Sequence, residues 1–275
     1  MVRNEVESNR RRWDELVPIH AASRFYDIEG FKRGRSTLLP VELEELGDLQ
    51  GKRLLHLQCH FGLDSLSLAR AGASVTGVDF SPRAIALAKE ISNEIGVKAR
   101  FVESDVYDLP KVLDERFDLI FSSYGVLCWL PDLPAWASVI SEMLDDGGTF
   151  LLVEDHPLAS LIDEKEAAPI RIVYPYFSDG RPTRFDVQGT YTDRSATVEN
   201  STSFEWTHPL SEIIDSLIGA GLRIEHVHEF PFSFFQRHAS MRLHPDGTWH
   251  FPNDYLSFPM LLSIKAKKPN LEEAI

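Results

Sequence analysis

The chain has 275 residues, 43% hydrophobic and 25% charged, a balance that suits a globular protein with a sizeable core. Its formal net charge of −14 disfavours a general nucleic-acid-binding surface, because a phosphate backbone is met by clustered Lys and Arg. Its two cysteines, Cys59 and Cys128, make no disulfide framework, the N-terminus is polar, and no apolar run nears the about 20 residues of a membrane span, so a cytoplasmic protein is expected.

In chain order, residues 5–17 predict a helix with Trp13, Leu16 and Val17 on one face. Residues 20–37 are mixed aromatic and basic and show no period. An alternation follows: strand 53–57, helix 63–71, strand 74–79, then a helix capped by Ser81 with Pro82 in its first turn and running to about residue 95. Strand 99–103, loop 104–110, strand 117–122 and a helix near 134–144 come next. The Asp146-Gly147-Gly148 turn then feeds strand 149–155. Short apolar strands alternating with helices predict a parallel sheet covered on both faces.

The rhythm breaks at His156. Residues 156–208 are rich in Pro, aromatic and polar residues; 196–206 alternate as a strand does, with Tyr191-Thr192-Asp193-Arg194-Ser195 as the hairpin turn before it. A helix over 210–220 ends at Gly221, strand 223–230 follows, 231–253 are irregular, and 258–267 form a last strand. No helix separates these last two strands, so antiparallel pairing is expected. The chain thus reads as one domain over 1–275: an N-terminal helix and cap over 1–50, a core over 51–155, a lid or dimerisation insertion over 156–208, and a final helix and strands over 209–275.

The most informative stretch is Leu54-Leu55-His56-Leu57-Gln58-Cys59-His60-Phe61-Gly62, an apolar strand turning into a helix, followed by a second strand that ends on Asp79. Strand, tight turn, helix, strand, acid is a βαβ layout that binds an adenosine-containing cofactor. Together with Val78-Asp79-Phe80-Ser81, Glu103-Ser104-Asp105-Val106, Phe117-Asp118-Leu119-Ile120, Leu127-Cys128-Trp129-Leu130-Pro131-Asp132 and Gly147-Gly148-Thr149-Phe150, the chain resembles a class I S-adenosylmethionine-dependent methyltransferase over about residues 52–155. The resemblance implies a Rossmann-like, doubly wound α/β fold whose seven-stranded sheet is mostly parallel with its last strand antiparallel, here with a lid insertion. It implies S-adenosyl-L-methionine as cofactor. The turn of Gln58, Cys59, His60 and Gly62 would pass beneath the methionine part, and Asp79, beside Phe80, would accept from both ribose hydroxyls. Asp105 would accept from the adenine amino group, the Val106 N–H would meet a ring nitrogen, and Ser123 and Tyr124 would line the sulfonium.

Two departures stand out. His56 occupies a first-strand position where this family usually has an acid, and Gln58 and His60 replace loop glycines, which normally permit positive φ and close backbone approach. Either Gln58 bonds the methionine end while His60 faces the substrate, or the turn is tighter with both side chains packing elsewhere, or cofactor binding is lost.

Methyl transfer is mainly a positioning problem, and a base is needed only when the acceptor must lose a proton. Catalytic groups of open parallel sheets gather beyond the carboxyl ends of the strands. That rule selects His156 as first candidate base, ahead of His60 and His208, with Tyr124 as a further catalytic candidate. Tyr26, Trp129, Asp155 and His156 are substrate-side candidates; a loop-capping role for His156 and core packing for Trp129 are the alternatives. His226 and His228 share a strand face and could pair at a metal, but no compact ligand spacing accompanies them, so no metal is expected.

No Asn-Pro-Pro-Tyr, Asp-Pro-Pro-Tyr or Pro-Cys sequence occurs, which disfavours adenine or glutamine amino methylation and a covalent cytosine mechanism. The expected partner is therefore a small molecule, closed over by the aromatic insertion, with no nucleic acid and no membrane, and with a homodimer as an alternative use of the exposed aromatics. Two other functions compete with methyl transfer: a non-catalytic protein that only binds S-adenosylmethionine, and a nicotinamide-dependent oxidoreductase.

Overall fold

The computed structural model describes residues 2–163, 170–252 and 257–270, so residues 164–169 of the expected insertion lie outside the described residues. Three helices, α1 (Val2–Ala21), α2 (Ile28–Lys32) and α3 (Pro40–Leu46), precede the sheet. The core then runs β1 (Arg53–Leu57), α4 (Leu63–Arg70), β2 (Ser74–Asp79), α5 (Pro82–Ile95), β3 (Arg100–Glu103), α6 (Leu109–Val112), β4 (Phe117–Ser123), α7 (Leu133–Met143) and β5 (Leu144–Asp155). A ribbon of β6 (Thr183–Asp186) and β7 (Thr202–Glu205) follows, then α8 (Leu210–Gly219) and β8 (Arg223–Phe230). Three short strands, β9 (Phe232–Ser233), β10 (Arg242–Leu243) and β11 (Trp249–His250), lead to β12 (Leu261–Lys267).

The seven-stranded sheet has the order β3-β2-β1-β4-β5-β12-β8. The pairs β1–β2, β1–β4, β2–β3 and β4–β5 are parallel. Strand β12 lies antiparallel to both β5 and β8, which makes it the reversed strand of a Rossmann-like, doubly wound sheet. The order reverses at β1, whose neighbours are β2 and β4, and this switch point opens a crevice at the strand ends.

Local chemistry explains the elements. In α5 the Ser81 side chain accepts from the Ala84 N–H, Pro82 pre-sets the first turn, and Gly96 at φ 68° closes the helix. In α7 Asp132 does the same for the Ala135 N–H. One sheet face packs Leu152 and Ile264 against Trp136 and Ile140 of α7 and Ile213 and Leu217 of α8. The other face packs Leu54, Phe121 and Leu151 beneath Val41 and Leu46 of α3 and Leu68 of α4.

Three sequence expectations change. The first helix continues through Pro18 to Ala21, because its last turn is buried: Val17 is 3% and His20 0% exposed. The long alternation over 196–206 forms a strand only at Thr202–Glu205; its partner is β6, and residues 187–201 make a wide excursion between the two. The irregular 231–253 segment carries the three-stranded sheet β10-β11-β9.

Helix α1 holds that excursion. Asn9 donates to the Phe204 carbonyl at 2.7 Å and accepts from the Phe204 N–H at 2.8 Å, completing a strand-like pair by side chain. The Arg12 guanidinium, 8% exposed, donates to the carbonyls of Val187, Gly189 and Asn200. The Glu15 carboxylate accepts from the N–H groups of Glu199 and Asn200. The N-terminal helix and the insertion therefore roof the crevice together.

Candidate active site

Beyond the carboxyl ends of β1, β2, β4 and β5 lies a cleft of about 1140 Å³. Its floor is the turn after β1. There the backbone enters the left-handed region at Gln58 (φ 53°), His60 (φ 50°) and Gly62 (φ 75°), so two non-glycine residues adopt the conformation that glycine normally serves. Each such residue costs roughly 1–2 kcal/mol. Named contacts offset that cost: the Cys59 N–H donates to the Val78 carbonyl at 2.8 Å, the His60 N–H to Asp79 at 2.9 Å, and Gln58 Nε2 to the Val126 carbonyl at 3.2 Å. The side chains of Gln58 and His60 both line the cleft.

Gly62 is required for a reason the sequence did not show. A Cβ there would lie 2.5 Å from the Phe101 ring, at a φ that other residues resist. Gly62→Ala is expected to cost roughly 2–4 kcal/mol in urea unfolding, from overpacking and left-handed strain together. Cys59, 5% exposed, belongs to the cluster beneath the turn that includes Phe61 and Phe101, and burial pushes its thiol pKa up.

Asp79 ends β2 at 8% exposure, its two oxygens accepting from the His60 and Ser81 N–H groups at 2.9 Å each. Burial pushes its pKa up to about 6, against the pull of those N–H donors. Phe80 lines the cleft beside it. Asp105 accepts from the Tyr107 N–H at 3.1 Å, opening a short turn at Val106–Asp108, and burial raises its pKa.

At the end of β4, Ser123 faces His56 Nε2 at 3.3 Å, and His56 Nδ1 lies 2.8 Å from Ser65. His56, 2% exposed, thus links β1, β4 and α4 as a neutral ring, its pKa pulled down to about 3 by burial; that is what stands in place of the usual acid. Tyr124 takes φ 51° and packs its ring on Phe234 at 4.3 Å. Burial raises its phenol pKa, and the neighbouring carboxyl of Glu42, itself fully buried, is raised in the same way. Glu154, 4% exposed, accepts from the N–H groups of Gly125, Val126, Leu127 and Asp155, the last three at 2.8, 3.0 and 2.7 Å. It is the anchor of the turn that follows β4.

The structure divides the expected catalytic histidines. His156 does not line the cleft: its Nδ1 accepts from the Leu158 N–H at 3.1 Å and its Nε2 faces Glu229 at 2.8 Å, so its ring caps the end of β5. It is therefore not brought to the other site residues, whether as base or as substrate contact. His208 lines the cleft, but both of its ring nitrogens are engaged, by the Leu130 carbonyl at 2.8 Å and Glu212 at 3.2 Å. His60, by contrast, sits in the cleft wall, ringed by Trp13 at 5.5 Å, Tyr26 at 5.6 Å and His20 at 5.2 Å. Trp129 meets Trp13 edge-on at 5.4 Å, and Tyr26 and Tyr191 share a hydrogen bond between hydroxyls. Asp155 lines the cleft, paired with Arg237 at 2.5 Å.

His226 and His228 bracket Glu45 at 2.5 and 2.7 Å, with Ser263 donating to the same carboxylate at 2.9 Å. Among the described residues Glu45, His226 and His228 bring ligand-type atoms within 4.8 Å of one another, the spacing of a group that could hold a metal ion.

Sequence reasoning missed His20 and Thr190. A signal for His20 existed: it follows Trp13, Leu16 and Val17 at the i, i+3, i+4, i+7 spacing of one helix face, visible once the helix is carried past Pro18. Thr190 carried no signal.

Comparison with known proteins bears on this geometry. The sequence profile of a family described as a methyltransferase domain matches residues 54–148. A ubiquinone biosynthesis O-methyltransferase of Xanthomonas euvesicatoria is 33% identical over 134 residues, 48% of this chain and 56% of that relative. The Escherichia coli enzyme of the same name is 27% identical over 150 residues, covering 53% and 62%. The chain thus spans little more than half the length of these relatives. A crystal structure of an S-adenosylmethionine-dependent methyltransferase from Mesorhizobium loti superposes with a TM-score of 0.58 at 22% identity, covering 86% of this chain and 99% of that one. Another from Clostridium acetobutylicum gives 0.55 at 15% identity, covering 94% and 97%. No helix among the described residues is long and apolar enough to cross a membrane.

Proposed function

We propose that this chain, whose residues 54–148 match a methyltransferase domain, transfers a methyl group from S-adenosylmethionine to an oxygen of a small, flat acceptor. The observation that carries this reading is the convergence of Asp79, Asp105 and Gln58 on one cleft at the switch point of the sheet. Gln58 supplies the test of fit. Its Oε1 is a buried acceptor with no protein partner among the described residues, in the turn that floors the cleft. A bound ammonium group is the donor such an atom lacks, since a buried acceptor left unpaired costs about 1–3 kcal/mol.

In this reading Gln58 holds the ammonium, Asp79 holds the two ribose hydroxyls, and Asp105 with the Val106 N–H holds the adenine edge. S-adenosylmethionine supplies an electrophilic methyl group on a positively charged sulfur. Trp13, Tyr26, Trp129 and Tyr191 wall the rest of the cleft, orient a planar acceptor and exclude water from it. His60 is the base that takes the acceptor's proton. Oxygen as the acceptor atom is supported by the printed names of the relatives, and an aromatic acceptor by those four rings.

Calorimetric titration with S-adenosylmethionine and with NAD tests the cofactor reading, and labelled-methyl transfer to a panel of phenols, amines and thiols tests the acceptor class. Binding of NAD alone, or of neither ligand, ends the proposal; methylation of amines only ends its oxygen half. Gln58→Leu is expected to weaken S-adenosylmethionine about tenfold, with a small loss of thermal stability from the forfeited Val126 contact.

A further inference from the structure

The wall behind His60 is built as a chain. His60 Nε2 lies 3.1 Å from His20 Nδ1, and His20 Nε2 lies 2.7 Å from Thr190 Oγ1. Thr190 Oγ1 also accepts from the Thr192 N–H at 3.2 Å and lies 3.4 Å from Thr192 Oγ1. His20 is 0% exposed and Thr190 9%, whereas their neighbours Tyr191, Asp193 and Arg194 are exposed, so the chain runs from cleft to surface. The three links come from the turn after β1, the end of α1 and the excursion between β6 and β7. Nδ1 is the ring nitrogen of His60 left for the cleft, having no partner among the described residues.

We propose that His20 and Thr190 form a proton relay behind His60, with His20 as a positioning residue that sets the tautomer of the base. The proposal rests on the methyltransferase reading. With the Thr190 hydroxyl turned to Thr192, its oxygen accepts from His20 Nε2–H. His20 Nδ1 then accepts from His60 Nε2–H, which leaves His60 Nδ1 bare toward the acceptor. On transfer, the acceptor oxygen bonds the methyl carbon while the C–S electron pair stays on sulfur, and the acceptor's proton goes to His60 Nδ1. His60 passes its Nε2 proton to His20 Nδ1, His20 passes its own to Thr190, and the Thr190 proton leaves through Thr192 to solvent. Burial alone would make an imidazolium here costly: it pulls the pKa of His20 down to about 3 and that of His60 well below its usual value. The relay spreads that charge, and the positive charge of the cofactor vanishes in the same step.

The test is long-range ¹⁵N NMR of histidine-labelled protein, with and without S-adenosylmethionine. In the loaded protein, His60 and His20 are each expected to carry hydrogen on Nε2 and a bare Nδ1. Thr190→Val should lose this single tautomer pattern, Thr190→Ser should restore it, and both variants should bind S-adenosylmethionine within about twofold of the parent. Hydrogen on His60 Nδ1 in the loaded protein overturns the proposal, as does a Thr190→Val spectrum identical to the parent's. Should Thr190→Val fail to fold, the parent and Thr190→Ser spectra still decide, and loss of cofactor binding by the parent would overturn the methyltransferase reading separately.

Discussion

Replacing Asp79 with alanine is expected to weaken S-adenosylmethionine binding at least about 100-fold, some 3 kcal/mol, in calorimetric titration. Two losses act together. The carboxylate that would accept both ribose hydroxyls is gone, and so is the acceptor for the His60 and Ser81 N–H groups, at 2.9 Å each, that holds the left-handed turn of the cleft floor. A pH series isolates the same group. With its pKa near 6 in the free protein, affinity should be flat above pH 7 and fall by up to about tenfold per unit below pH 6, as the acceptor takes up a proton. Stability of the free protein should move the opposite way. A carboxyl whose folded pKa is raised stabilises fully below its unfolded pKa and loses that contribution as pH rises through 6. An affinity unchanged by Asp79→Ala would end the ribose assignment.

The second large effect is on folding. Glu154→Ala should destabilise the protein by about 3–5 kcal/mol, lowering the melting temperature by about 10 °C, because several N–H donors lose their acceptor in a dry setting. The carboxylate spans the turn after β4 from below, so the N–H groups of Gly125, Val126 and Leu127 depend on one side chain 27 to 29 residues away. Glu154→Gln keeps one acceptor oxygen and should recover part of the loss. Calorimetric or fluorescence melts decide it; a shift within 2 °C of the parent would mean that water replaces the carboxylate.

Much of this was legible in the sequence because it is local. Ser81, Pro82 and Gly96 announce both ends of α5 within one stretch, and the apolar runs at β1, β2 and β4 read directly as buried parallel strands. Asp79 is found by following the βαβ layout to the end of its second strand, and Asp105 by the motifs that the chain shares with the family it resembles; both line the crevice at the carboxyl ends of the strands. Sequence leaves two readings of His156, base or strand cap, because it follows β5 as His60 follows β1; the packing of β8 beside it, with Glu229 at 2.8 Å, gives its ring the capping place.

By itself, then, the sequence determined the Rossmann-like, doubly wound sheet and the βαβ layout with an acid, Asp79, at the end of its second strand. These follow from hydrophobic period, caps and turn chemistry, all of which act over a few residues. Tertiary structure alone decided which side chains wall the cleft. His20 meets His60 across 40 residues and Thr190 across 170, and Asn9 pairs with Phe204 across 195. Such partners are chosen by where α1 and the excursion after β6 settle against the sheet, a matter of burial and loop closure with no local signature. The same holds for the strained turn at Gln58 and His60: residue type argued against positive φ, and the Asp79 and Val126 contacts that offset it exist only once β1, β2 and β4 lie side by side.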